Sequence, residues 1–149
     1  MNVTGRCHCG QISFAAEIEP AQVRVCHCGD CQTLTGTAFR TAVPSLPGSF
    51  MLKSGTPKLY IRTAASGNQW AEAFCPDCGT ALYAYAAASG PNPPFYGLRV
   101  GPLDRRAELK PAAQFWCRSA LPWSMDLTGV PQFEGQSATH IGSPRLSSG

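Results

Sequence analysis

The chain has 149 residues, 44% of them hydrophobic and only 14% charged, which suits one folded domain with a real core. Its formal charge of +3 comes from twelve Lys and Arg that are scattered along the chain, with only Arg105–Arg106 adjacent, so no footprint for nucleic acid or an anionic membrane is legible. No apolar run approaches the ~18 residues that span a bilayer, and the opening MNVTGRCHCG has no apolar stretch resembling a secretory signal, which points to the cytoplasm.

Gly 15 and Pro 13 fit many short strands joined by turns. Gln11–Ile18 alternates, with Ile12, Phe14, Ala16 and Ile18 on one face. Val23–Val25 is a short run leading into a cysteine cluster, and Cys28–Leu34 is a short helical candidate. Thr37–Val43, Phe50–Lys53, Lys58–Thr63, Ala71–Phe74, Ala81–Ala86, Phe95–Val100 and Gln114–Arg118 read as further strands. Turn signals separate them at Pro44, Pro47–Gly48, Ser54–Pro57, Ser66–Asn68 and Gly90–Pro94. Pro102–Leu109 is a second helical candidate. After Phe133 the chain turns polar and Gly/Ser-rich, which predicts a mobile tail over 134–149 behind an all-β domain over 1–133.

Eight cysteines in such a chain call for an explanation other than disulfides. Six of them sit in Cys7–His8–Cys9, Cys26–His27–Cys28 and Cys75–Pro76–Asp77–Cys78, too close together to bridge comfortably within each pair. Thiolates are favoured ligands of Zn²⁺, and closely spaced cysteines can reach one ion. Cys26, Cys28 and Cys31 lie within six residues and form one tripod. Cys7, Cys9, Cys75 and Cys78 then form a complementary set of four, with Gly10 and Gly79 letting the backbone turn after each pair. A four-sulfur shell is the closed, structural type, whereas three protein ligands and an open position is the catalytic type. Two zinc ions are expected, and seven thiolates holding them bring the formal charge from +3 to zero. Cys117, His8 or His27 could instead complete the tripod and make both sites structural. Cys117 reads as a small apolar residue in a strand, and His27 as pointing away from the metal.

The order C-x-C-G at Cys7–Gly10, C-H-C-x-x-C-Q through T-G-T-A-F at Cys26–Phe39, and F-C-x-x-C-G-T at Phe74–Thr80 resembles the glutathione-dependent formaldehyde-activating enzyme family, which includes the centromere protein V type of domain. Lys53–Ser54–Gly55 before Lys58–Leu59–Tyr60, and Leu121–Pro122–Trp123, also look like the family, so the resemblance spans roughly residues 3 to 124. It implies a β-tent fold, Cys7, Cys9, Cys75 and Cys78 on a structural zinc, and Cys26, Cys28 and Cys31 on a catalytic one. It also implies addition of glutathione to formaldehyde, or the reverse carbon–sulfur lyase reaction. A thiol on zinc is deprotonated and could attack an aldehyde held beside it. Glutathione carries two carboxylates, so a basic residue should line its pocket, and Arg40, Lys53, Arg62 and Arg99 are the candidates. A non-catalytic zinc module for a protein partner is the main alternative. A methionine sulfoxide reductase of the B type would need Cys117 as nucleophile, but Trp116–Cys117–Arg118–Ser119 lacks that family's arginine before and asparagine after the cysteine.

Overall fold

The alternation at Gln11–Ile18 becomes the second of ten strands in a computed structural model that describes residues 1–136. The tail expected over 134–149 therefore falls, from residue 137 onward, outside the described residues. The elements run β1 (Asn2–Arg6), β2 (Ser13–Glu17), β3 (Arg24–Cys26), α1 (Gly29–Thr35), β4 (Arg40–Pro44), β5 (Met51–Ser54), β6 (Lys58–Thr63), β7 (Gln69–Phe74), β8 (Ala81–Ala86), β9 (Gly97–Arg99) and β10 (Ala113–Phe115). Strand β1 has no counterpart in the sequence reading: NVTGR lacks a run of strand formers and a turn signal ahead of it.

The strands form two sheets in one mainly β domain, as expected of a β-tent. The smaller has the order β1-β2-β5, and the larger β10-β3-β4-β9-β8-β7-β6. Every pairing is antiparallel except β10 on β3. Between the sheets lies the core. Ile12, Phe14, Ala16 and Ile18 project into it from one side, and Val43, Tyr83 and Leu98 from the other. Ile12, Phe14, Leu82 and Leu98 are each at most 1% exposed, worth about 1.5–3 kcal/mol apiece. Phe14, Phe50, Tyr83 and Tyr96 interlock, with Phe50 stacked on Tyr96 at 4.0 Å and edge-on to Tyr83 at 4.8 Å.

Pro102–Leu109 does not form the expected α-helix. Only a 3₁₀ turn at Arg106–Glu108 develops, because the Leu103 side chain is drawn into the core and the Asp104 carboxylate accepts from the Thr4 amide across the chain. The strand expected over Gln114–Arg118 stops at Phe115, since Trp116 takes a left-handed φ of 58° that breaks the ladder. Cys117 consequently begins a 3₁₀ turn, Cys117–Ser119, and is exposed rather than buried. Among the described residues no helix is long and apolar enough to cross a membrane.

One close approach makes the core testable. Gly5 of β1 faces Phe14 of β2, and a Cβ added at Gly5 would stand 2.1 Å from the tip of that ring. The ring is hemmed in by Phe50 at 5.6 Å and Tyr83 at 5.9 Å, so it has little room to swing. Gly5→Ala is expected to lower stability by about 1–3 kcal/mol through overpacking. Urea unfolding should show a lower midpoint at unchanged slope; an unaltered midpoint would mean the ring moves freely.

Candidate metal centres

The turn joining β1 to β2 carries Cys7 and Cys9, and the turn joining β7 to β8 carries Cys75 and Cys78. Gly10 at φ 83° and Gly79 at φ 73° supply the left-handed backbone that each turn needs. The two turns meet through the His8 amide, which donates to Thr80 Oγ1 at 3.0 Å. The four sulfurs, contributed by both sheets, lie within 4.8 Å of one another. Ile12 N donates to Cys7 Sγ at 3.2 Å, and Cys78 Sγ lies 3.1 Å from Thr80 Oγ1. The hydrogen bond to Thr80 heads the causes that hold the Cys78 thiol down at about 5.

The second group is built by a strand end and a helix start. Cys26 closes β3, and Cys28 caps α1, its sulfur accepting from the Cys31 amide at 3.4 Å. Cys31 sits in the first helical turn, and Gly36 ends the helix at φ 66°. The sulfurs of Cys26, Cys28 and Cys31 also lie within 4.8 Å of one another. A hydrogen bond to Cys31 is the main reason the Cys26 thiol drops to about 5, and the same bond pushes Cys31 upward. Thiols this close cannot all ionise unless a cation sits among them. The donor chemistry of both groups therefore fits a thiophilic metal ion. All eight cysteines are free, and Cys117, His8 and His27 join neither group.

His27 does turn away from the sulfurs. Fully buried, it pairs Nε2 with Gln114 Oε1 at 3.0 Å and lies edge-on to Phe39. Gln32 ties this loop down, donating to the carbonyls of His27 at 2.7 Å and Ser119 at 2.9 Å.

The outer face of the large sheet carries the rest of the site. Strand alternation puts Val25, Val43 and Leu98 into the core and leaves Arg24, Cys26, Arg40, Ala42, Gly97 and Arg99 on the opposite face. Ala84, Trp70 and Arg62 extend that face across β8, β7 and β6. A cleft of about 200 Å³ is lined by these residues together with Cys31, Phe95 and Phe115. Of the four basic candidates Arg40, Arg62 and Arg99 line this cleft, joined by Arg24, which lies 5.5 Å from the Phe115 ring centre. Basic residues that are scattered in sequence converge here. Lys53 does not join them: it sits on β5 and lines a broad groove of about 740 Å³ that runs past Cys7 and His8.

Glu72, given no role in the sequence reading, organises the cleft. Arg40 Nη1 donates to its Oε1 at 3.3 Å, Arg62 Nε to the same oxygen at 2.7 Å, and Arg99 Nη2 to its Oε2. Arg62 also donates to Asp30 Oδ2 on α1 at 3.1 Å. Burial alone would raise the Glu72 carboxyl, but Arg99 and Arg40 outweigh it and hold the group below the usual carboxylate range. Burial, aided by the like charge of Arg40, brings Arg99 down to about 10. The only hint in sequence was a carboxylate between two alanines in QWAEAF, where its face of the strand reads as solvent.

A family model described as glutathione-dependent formaldehyde-activating enzyme matches residues 2–119. A crystal structure of a Rhodobacter sphaeroides protein shares the fold, with a TM-score of 0.56 and 22% identity, over 74% of this chain and 98% of that one. No curated protein matches the chain.

Glu72→Gln is expected to destabilise the protein by about 3–5 kcal/mol at neutral pH, because the buried Arg40 and Arg99 lose their counter-charge and the half-buried Arg62 keeps only Asp30. The pH dependence follows from the depressed carboxyl. Its contribution is complete above the ordinary carboxylate range and is lost as pH falls through the lower folded value. Denaturation series between neutral and acid pH should show the wild-type advantage over Glu72→Gln shrinking on acidification. An advantage that grows toward acid would reverse the assignment.

Proposed function

Since the chain belongs to the glutathione-dependent formaldehyde-activating enzyme family, we propose that it is a zinc-dependent carbon–sulfur lyase of that type, acting on a small thiol and an aldehyde. Glutathione is the expected thiol and formaldehyde the expected aldehyde. Cys7, Cys9, Cys75 and Cys78 would hold a structural zinc. Cys26, Cys28 and Cys31 would hold a second zinc with a position left for substrate. The observation that carries this reading is the tripod itself: three converging sulfurs at the edge of a cleft, joined by no fourth cysteine or histidine among the described residues.

Bound zinc would supply a thiolate at neutral pH, where a free thiol with a pKa near ~8.5 is mostly protonated. The chain's own residues do the remainder. Trp70, Phe95 and Phe115 give the cleft apolar walls, while Arg40 sets a positive field beside Cys26 and Cys31. Addition forms one carbon–sulfur bond as the carbonyl π bond opens, and the thiol's proton ends on the former carbonyl oxygen. The reverse reaction breaks that bond. Free cysteines in number suit a reducing compartment, and we place the enzyme in the cytoplasm.

Metal-replete protein is expected to carry about two zinc ions per chain by elemental analysis, with an asymmetric dependence on the cysteines. Cys75→Ser or Cys78→Ser should prevent soluble folding, whereas Cys28→Ser or Cys31→Ser should leave a folded chain with half the metal. Equal unfolding of both classes would overturn the division into structural and catalytic sites.

Thiol binding is read most directly in cobalt-substituted protein, whose thiolate-to-metal charge-transfer bands respond to an added sulfur ligand. Glutathione should shift those bands saturably in the wild type and not in Cys31→Ser. NMR exchange between glutathione and formaldehyde then tests turnover. A spectral shift without faster exchange keeps thiol binding and removes formaldehyde as the substrate. The absence of any response to small thiols would favour a closed, non-catalytic zinc module.

A further inference from the structure

The cleft concentrates positive charge even when the one negative charge of three thiolates on a divalent ion is set against it. Arg24, Arg40, Arg62 and Arg99 line it. Against them stand Glu72, shared by three of the four, and the half-exposed Asp30 on Arg62. Arg40 and Arg99 are 5% and 8% exposed, and the buried Nε of each has no acceptor. Buried donors left unpaired are costly, and buried guanidinium groups more so. Formaldehyde is neutral and offers them nothing. Glutathione carries its carboxylates at the ends of the peptide, far from the sulfur. The volume of about 200 Å³ is well below the ~300–1,000 Å³ of pockets that enclose larger ligands.

Resting on the thiol–aldehyde reading above, we propose that the guanidinium groups of Arg24, Arg40 and Arg99 form a carboxylate subsite inside this cleft, so that the preferred substrate carries a carboxylate beside its reacting group. Cys26 and Cys31 line the same cleft as Arg24, Arg40 and Arg99, which places the subsite next to the tripod. In a cleft of about 200 Å³ a carboxylate held there stands close to the atom that reacts. Two classes meet that requirement: a small oxo acid, with the carboxylate next to the carbonyl, and a small mercapto acid, with it next to the sulfur. Glu72 positions the cradle. By pairing with one edge of each buried guanidinium it fixes the planes and leaves a net positive charge for the ligand. The apolar walls of Trp70, Phe95 and Phe115 strengthen every charge interaction in the cleft.

Isothermal titration of the zinc-replete full chain with matched probes separates these sources without relying on a variant. Mercaptoacetate is compared with 2-mercaptoethanol, and glyoxylate with acetaldehyde. At least one acidic probe should bind about tenfold or more tightly than its neutral partner, the worth of one charge-assisted hydrogen bond. The pair showing the preference identifies whether thiol or aldehyde carries the carboxylate. Arg40→Met should abolish the preference. Arg24→Met, which leaves the Glu72 pairs intact and is expected to fold, should narrow it. Glutathione binding with no acidic preference in either pair would overturn the subsite and leave the thiol–aldehyde reading standing. An acidic preference for glyoxylate without binding of any thiol would support the subsite and remove that reading instead.

Discussion

The structure depends on the meeting of two turns that are distant in sequence. Cys7 and Cys9 belong to the small sheet, Cys75 and Cys78 to the large one, and their sulfurs come together within 4.8 Å. The sheets are otherwise joined by the core between them and a few backbone bonds such as Arg6 N to Pro102 O. In a chain of this length, with few charges and several strands of only three residues, hydrophobic burial alone leaves little margin. An ion held by the four cysteines would add a joint whose free energy is coupled directly to folding. It would also fix where β7 ends and β8 begins relative to the end of β1, and so where the cleft face of the large sheet points.

That face explains why the arginine cluster is tolerable. A buried guanidinium is costly, and three around one carboxylate cost more, so the arrangement contributes little to stability by itself. Glu72 is depressed by its arginines while Arg99 is lowered by burial and by Arg40. The two shifts describe one network under tension: a carboxylate with more positive partners than it needs, and guanidinium groups with fewer negative partners than they need. Such imbalance, in a cleft beside a thiol tripod, belongs to a binding site better than to a packing device.

Much of this was legible in sequence because its signals are local. The strands at Lys58–Thr63 and Ala81–Ala86 form with the bounds read from their runs, and the short helix after Cys28 is only one residue displaced. Cysteine spacing separated four sulfurs from three because a tripod within six residues needs no partner from elsewhere. What escaped is non-local. Strand β1 is held by pairing with β2 rather than by its own propensity. Cys117 was misplaced because one backbone torsion at Trp116 outweighs the apolar character of QFWC. Glu72 was overlooked because a carboxylate on an alternating strand reads as solvent-facing, and nothing in the linear chain shows that three arginines on three other strands arrive over it. Lys53 failed as a candidate for the converse reason: basic character carries no information about which sheet a residue joins.

The surroundings of the two sulfur groups account for why similar donors should serve different ends. Four thiolates on a divalent ion carry two negative charges, and the four-cysteine cluster meets them with the Ile12 amide and the Thr80 hydroxyl, fixed short-range partners that stabilise one charge state. Three thiolates carry one negative charge, and a further sulfur arriving would bring a second. The tripod faces guanidinium groups, whose longer-range field can accommodate that change without new hydrogen bonds to each sulfur. A closed centre needs neighbours that match a constant charge; one that exchanges a ligand needs neighbours that tolerate two. By that criterion the surroundings support the proposal that the four-cysteine cluster is the permanent centre and the tripod the exchanging one, because of what stands around the sulfurs as much as because of their number.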